Sequence, residues 1–201
     1  MSDKKLGFMF SEMMSGGFAL GPTDPKAGAQ AGKSQPVTMH GTITIDDLDA
    51  FIADPQHLGR LDVRMDWAPF GSDIPAPGGV FNLFSPTGDP KLKLMVYEWG
   101  IEHQGKPYYF AGQKDVQVHP LFDLWKDTTT LYTTLHQGTD KTGEVVGAGI
   151  LELTPAELMK MTGTFTALNA ASTADSLRAT TTFGRFFLGE LWDTYIKRAG
   201  A

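Results

Sequence analysis

Between Val37 and Leu153 the chain is mostly a series of stretches alternating apolar and polar residues, with one short helical stretch among them, and after Thr154 a helical spacing takes over. Val37, Met39, Gly41, Ile43 and Ile45 fall on one face of a strand whose other face carries Thr38, His40, Thr42 and Thr44. Asp46-Asp47-Leu48-Asp49-Ala50-Phe51-Ile52 then sets an aspartate cap and an acidic first turn ahead of an apolar pair, which predicts a short helix ending before Pro55. Leu61, Val63 and Met65 alternate with charged residues in the next strand, and Val80 to Phe84 predicts another after the turn-rich Ile74 to Gly79.

The middle of the chain is the most explicit part. Two long alternating arms meet at Gln104-Gly105, and with these as the two turn residues the pairing follows. Ile101 faces Tyr108, Trp99 faces Phe110, Tyr97 faces Gly112 and Met95 faces Lys114, all on one side of the sheet. The other side, with Leu94, Val96, Glu98, Tyr109, Ala111, Gln113 and Asp115, is more polar. A lysine therefore sits among aromatics.

Thr128 to His136 alternates again, with Thr129, Leu131, Thr133 and Leu135 on one face and a row of hydroxyls on the other, and Val145 to Leu153 returns as a further strand. Thr154-Pro155-Ala156-Glu157 is a capping box with proline at the first helical position. A longer helix is expected from about Asp175 to Lys197, with Leu177, Phe183, Phe187, Leu188, Leu191, Trp192 and Tyr195 on one half. Arg178, Arg185, Asp193 and Lys197 lie on the other half, and Phe186 falls among them. Ser15 to Pro36, rich in Gly, Ala, Pro, Ser and Lys, reads as a long flexible loop or lid, and Leu6 to Phe10 before it as a short apolar patch.

The fold class that follows is mainly β, of the α+β kind. About seven or eight antiparallel strands at this spacing close most economically as a barrel or strongly curled sheet, because closure removes exposed edges. C-terminal helices over 154–198 pack on it or plug one end, and residues 1–201 form one domain.

Composition narrows the function classes. The net charge of −6 and the lack of any basic run leave no electrostatic footprint for nucleic acid. The chain has no cysteine, so a disulfide framework, a thiolate nucleophile and a zinc ribbon are excluded. No apolar run is long enough to span a bilayer, and a cytoplasmic location is the default expectation. The five histidines, His40, His57, His103, His119 and His136, share no metal-ligand spacing, so no metal is expected. Gly147-Ala148-Gly149 lies inside a strand and lacks the third glycine of a dinucleotide fingerprint, and no serine sits in a nucleophile elbow. No cofactor is expected.

The candidate chemistry gathers around Lys114. An ammonium on an aromatic face must find a carboxylate, donate to a ligand or lose its proton, since burying it unpaired costs several kcal/mol. Asp127, which shares strand parity with Thr129, Leu131 and Leu135, is its candidate carboxylate if those leucines face the core. If Tyr132 and His136 face inward instead, Asp127 points out and the lysine must look to Tyr97 or to solvent in the barrel mouth. Met95, Tyr97, Trp99, Tyr108, Phe110 and Gly112, with Lys114 and Asp127, form the candidate ligand site: apolar walls with few polar points. Opposite Tyr97, Gly112 leaves room for the ring.

The blocks Phe10-Ser11-Glu12-Met13-Met14-Ser15-Gly16, Gly79-Val80-Phe81-Asn82-Leu83-Phe84, Met95-Val96-Tyr97, Gly112-Gln113-Lys114 and Leu124-Trp125-Lys126-Asp127-Thr128-Thr129-Thr130-Leu131 carry a resemblance. They resemble a β-rich domain that accompanies the flavin-binding module in bacterial glucose-methanol-choline, cholesterol-oxidase-like oxidoreductases. The resemblance implies association with a sterol, lipid or other hydrophobic substrate, and an oxidoreductase partner docking through the C-terminal helix. The chain lacks a flavin-binding part, so redox chemistry does not transfer to it. A true lipocalin's Gly-x-Trp near the first strand is also missing, which leaves a calycin-like barrel as an analogy of shape. The expected function is binding of a hydrophobic small molecule. The alternatives are a cofactor-free barrel enzyme (isomerase, cyclase or hydratase) using Lys114, Tyr97 and Asp127, or a structural partner of a flavin oxidoreductase.

Overall fold

Gln104 and Gly105 both take positive φ, 52° and 73°, the conformation of a two-residue hairpin turn whose twist matches its strands. In the computed structural model, which describes residues 4–117 and 124–192, this turn joins β6 (Leu92–His103) to β7 (Lys106–Gln117). The register is the one the alternation predicts: Met95 with Lys114, Tyr97 with Gly112, Trp99 with Phe110 and Ile101 with Tyr108.

The other long strands are β1 (Gly7–Gly16), β3 (Val37–Ile45), β4 (Leu58–Trp67), β5 (Gly71–Pro86), β8 (Thr130–Gln137) and β9 (Val145–Glu152). They run antiparallel in the order β1-β3-β4-β5-β6-β7-β8-β9, and Ser15 of β1 meets Glu152 of β9, closing an eight-stranded barrel. The turn-rich stretch before Val80 is itself strand: β5 absorbs it through register shifts between its pairs with Leu61 and Val63 and with Met65 and Trp67, the bending that bulges allow.

Two short strands modify the seam. β2 (Phe18–Leu20) continues past β1 and pairs with β9, while β10 (Thr166–Leu168) pairs with the start of β1. Between these two pairings β1 and β9 diverge, and α4 (Pro155–Thr162) packs on β1 in the gap, where the Ser11 N–H donates to Thr164 Oγ1 at 2.8 Å. Thr154 caps α4 by accepting from the Glu157 N–H, as the capping box predicts.

The sequence expectation of a loop over Ser15 to Pro36 is corrected here. Its first residues belong to β1 and β2, and Pro25–Ala31 is a helix, α1, capped by Asp24 and packed on β9. Glycine and alanine, read as loop formers, are what let α1 lie close on the strand: a Cβ on Gly28 would fall on the Ala148 carbonyl oxygen.

A six-residue helix α2 (Leu48–Ala53) follows β3, with Asp47 accepting from the Ala50 N–H. The helix α3 (Leu124–Thr129) occupies positions expected as the start of β8. The last described helix, α5 (Thr173–Trp192), closes one end of the barrel; Asp193, Tyr195 and Lys197 lie outside the described residues. The rotation of α5 differs from the expected one. Ala179 and Phe183 are buried, Phe186 packs edge-on against Phe51 and His57, and Leu177 and Leu188 are 69% and 66% exposed. No helix among the described residues is long and apolar enough to cross a membrane.

Candidate functional site

The barrel interior divides into two storeys. At the hairpin-turn end, Trp99 stacks on Phe110 with centroids 4.9 Å apart, Phe18 packs edge-on against Trp67, and Phe70 lies between Trp67, His103 and Tyr108. These rings fill their end. At the other end, under α4 and α5, a cavity of about 350 Å³ remains, walled chiefly by Phe10, Phe81, Met95, Leu153, Phe183 and Phe187.

Glu12 from β1, Tyr97 from β6 and Lys114 from β7 enter this apolar space, and Thr128 and Thr129 of α3 also line it. Lys114 is 2% exposed and its Nζ donates to the Tyr97 hydroxyl at 3.3 Å, lying 4.7 Å from the ring centroid. Glu12 is 6% exposed, and its Oε1 has no hydrogen-bond partner among the described residues. An unmet buried acceptor costs about 1–3 kcal/mol, so it is poised to receive a donor from a molecule in the cavity.

Electrostatics ties the three together. Burial pushes the Lys114 ammonium below the usual lysine pKa, and the Glu12 charge offsets part of that fall. Burial pushes the Tyr97 hydroxyl well above the usual tyrosine range, and the charge of Glu12 and a hydrogen bond to its side chain add to the rise. Tyr97 is therefore a neutral hydroxyl that accepts from lysine and holds its own proton between Glu12 and the cavity.

Of the residues expected to form the site, Met95, Tyr97 and Lys114 line the cavity. Trp99, Tyr108 and Phe110 share their sheet face but belong to the filled storey. The space beside Gly112 is not a gap for a ligand, because Leu131 occupies it: a Cβ there would lie 3.0 Å from Leu131 Cδ2. Asp127 is not brought to Lys114. Its carboxylate accepts from the Gln117 N–H at 3.4 Å and lines a separate depression with Lys26, Asp115 and Tyr132. Strand parity cannot be carried back from Leu131 to Asp127 because residues 124–129 are helical, and a helical turn rotates side chains by 100° rather than 180°.

Glu12 is the carboxylate that sequence reasoning missed. The signal was present: Phe8, Phe10, Glu12 and Met14 alternate, and all four are buried on the inner face of β1. Glu12 and Met161 also line an outer groove of about 600 Å³ between α4 and the β1–β3–β4 face, so they form the wall between groove and cavity. No protein-family model, curated protein or solved structure matches the chain.

Proposed function

We propose that the barrel binds a small apolar molecule carrying one polar group, as a carrier or accessory binding domain. The observation that carries this reading is the apolar cavity beneath α5 with Glu12, Tyr97 and Lys114 converging inside it. Ligand sites combine apolar walls with a few placed polar groups and run from about 300 to 1,000 Å³. A cavity of about 350 Å³ is at the small end, which favours a medium-chain or monoterpenoid-sized molecule over a full sterol.

The packing of Phe186 supports this reading over that of a structural partner for an oxidoreductase. A docking role for the C-terminal helix would be favoured by an apolar patch around Phe186, and that ring is instead engaged with Phe51 and His57. Native mass spectrometry of the protein as purified, followed by calorimetric titration with 1-octanol, decanoic acid and cholesterol, tests the proposal. A retained apolar molecule, or binding of the two shorter probes, supports it. A bare protein that takes up none of the three refutes it.

A further inference from the structure

Glu12, Tyr97 and Lys114 together are more than a hydrogen-bonding anchor needs, and their chemistry selects among ligands. Glu12 and Lys114 bring opposite charges into one apolar space. A carboxylate ligand would add a second negative charge beside Glu12, and an amine a second positive charge beside Lys114, each at a desolvation cost the cavity does not offset. A neutral polar group avoids both costs. Among neutral groups, an aldehyde or ketone uses all three residues: its carbon is open to the lysine nitrogen, its oxygen can accept from the Tyr97 hydroxyl, and the proton released from nitrogen can pass to the unpartnered Glu12 Oε1.

We infer that Lys114 is a nucleophile that captures an apolar aldehyde or ketone in this cavity as a reversible imine, with Tyr97 as proton donor and Glu12 as proton acceptor. The inference rests on the reading of the cavity as a ligand site. The free amine attacks the carbonyl carbon, forming an N–C bond, while the C=O π pair moves to oxygen and takes a proton from Tyr97. The nitrogen gives a proton to Glu12, leaving a neutral carbinolamine. Its C–O bond then breaks as Glu12 returns its proton to the departing oxygen, which leaves as water. The nitrogen lone pair forms C=N, and the remaining N–H proton of the iminium passes to the Tyr97 oxygen, giving the imine and restoring both side chains. One amine and one carbonyl give one imine and one water, with no change of oxidation state. Attack requires the free amine, which exchanges with the ammonium and whose share burial enlarges.

The test treats the intact protein with octanal and sodium cyanoborohydride, which reduces an imine to a stable octyl-amine, and maps the modified lysines by peptide mass spectrometry. Propanal is the short-chain comparison, and 1-octanol, titrated in parallel, reports cavity binding without reaction. The expected result is one octyl group at Lys114, enriched about ten-fold or more over any surface lysine because bound reactants gain effective concentration, with no such preference for propanal. Lys114→Met should lose this adduct while the labelling of surface lysines is unchanged; if that variant does not fold, the site map of the unmutated protein decides. Binding of 1-octanol with Lys114 labelled no faster than surface lysines overturns the imine and leaves the binding site standing. Failure of both 1-octanol binding and Lys114 labelling overturns both.

Discussion

Replacing Glu12 by glutamine tests whether that carboxylate is what keeps a buried lysine tolerable. The substitution preserves shape and removes the one negative charge identified as favouring the Lys114 ammonium, leaving burial alone acting on it. Glu12 acts on Lys114 through its charge and not as a contact ion pair, so the cost falls short of the roughly 3–5 kcal/mol of a broken buried pair, and a lysine can also escape by losing its proton. With an unfolded-state pKa of about 10.4, that escape costs at most about 4.6 kcal/mol at pH 7 and about 1.9 kcal/mol at pH 9. The expected loss at pH 7 is therefore about 1–3 kcal/mol. The sign with pH is fixed by linkage: a lysine whose folded pKa is lowered binds fewer protons folded than unfolded, so stability rises with pH from the folded pKa up to about 10.4. Lys114 is already shifted in this direction, and removal of Glu12 pushes it further, so the deficit of Glu12→Gln against the unmutated protein should narrow between pH 7 and pH 9. Urea unfolding at both pH values, followed by far-UV circular dichroism, reads this directly. A loss below about 1 kcal/mol at pH 7, or a deficit equal at the two pH values, would refute the coupling.

Three further substitutions probe the frame around the cavity. Gly112→Ala should lose about 1–3 kcal/mol in the same unfolding assay, since the new Cβ would press on Leu131; unchanged stability would mean that Leu131 moves aside freely. Phe183→Ala removes a ring stacked 4.4 Å from Phe8 and roofing the cavity, so it should cost about 3–5 kcal/mol and weaken 1-octanol binding together. Thr154→Ala deletes the α4 cap and should lower stability by about 1 kcal/mol, without changing 1-octanol affinity.

Local pattern decided a great deal. Period-two alternation and a two-residue turn fix which residues of β6 and β7 face each other, because a slip of one residue would turn every side chain to the wrong face. That is why Tyr97 and Lys114 could be placed on one inner face from the sequence, and why the capping box at Thr154 marked the start of α4. Alternation also marks Glu12 as inward, although the glycine-rich segment after it masked the strand it sits on.

What the sequence left open depends on contacts between distant positions. Glu12 enters the same cavity as Lys114 only because β1 joins β9 through Ser15 and Glu152 and so closes the barrel, a pairing that no local pattern encodes. Whether aromatics on one sheet face line a cavity or fill a core depends on what arrives from the opposite wall: Phe18 and Trp67 fill the storey of Trp99 and Phe110, and Leu131 takes the space beside Gly112. The rotation of α5 follows from the same cause, since a helix with apolar residues on more than one side turns to whichever surface it meets, here Phe8, Phe51 and Phe84. Strand periodicity determines the face of a residue, and only closure of the barrel determines its neighbours across the interior.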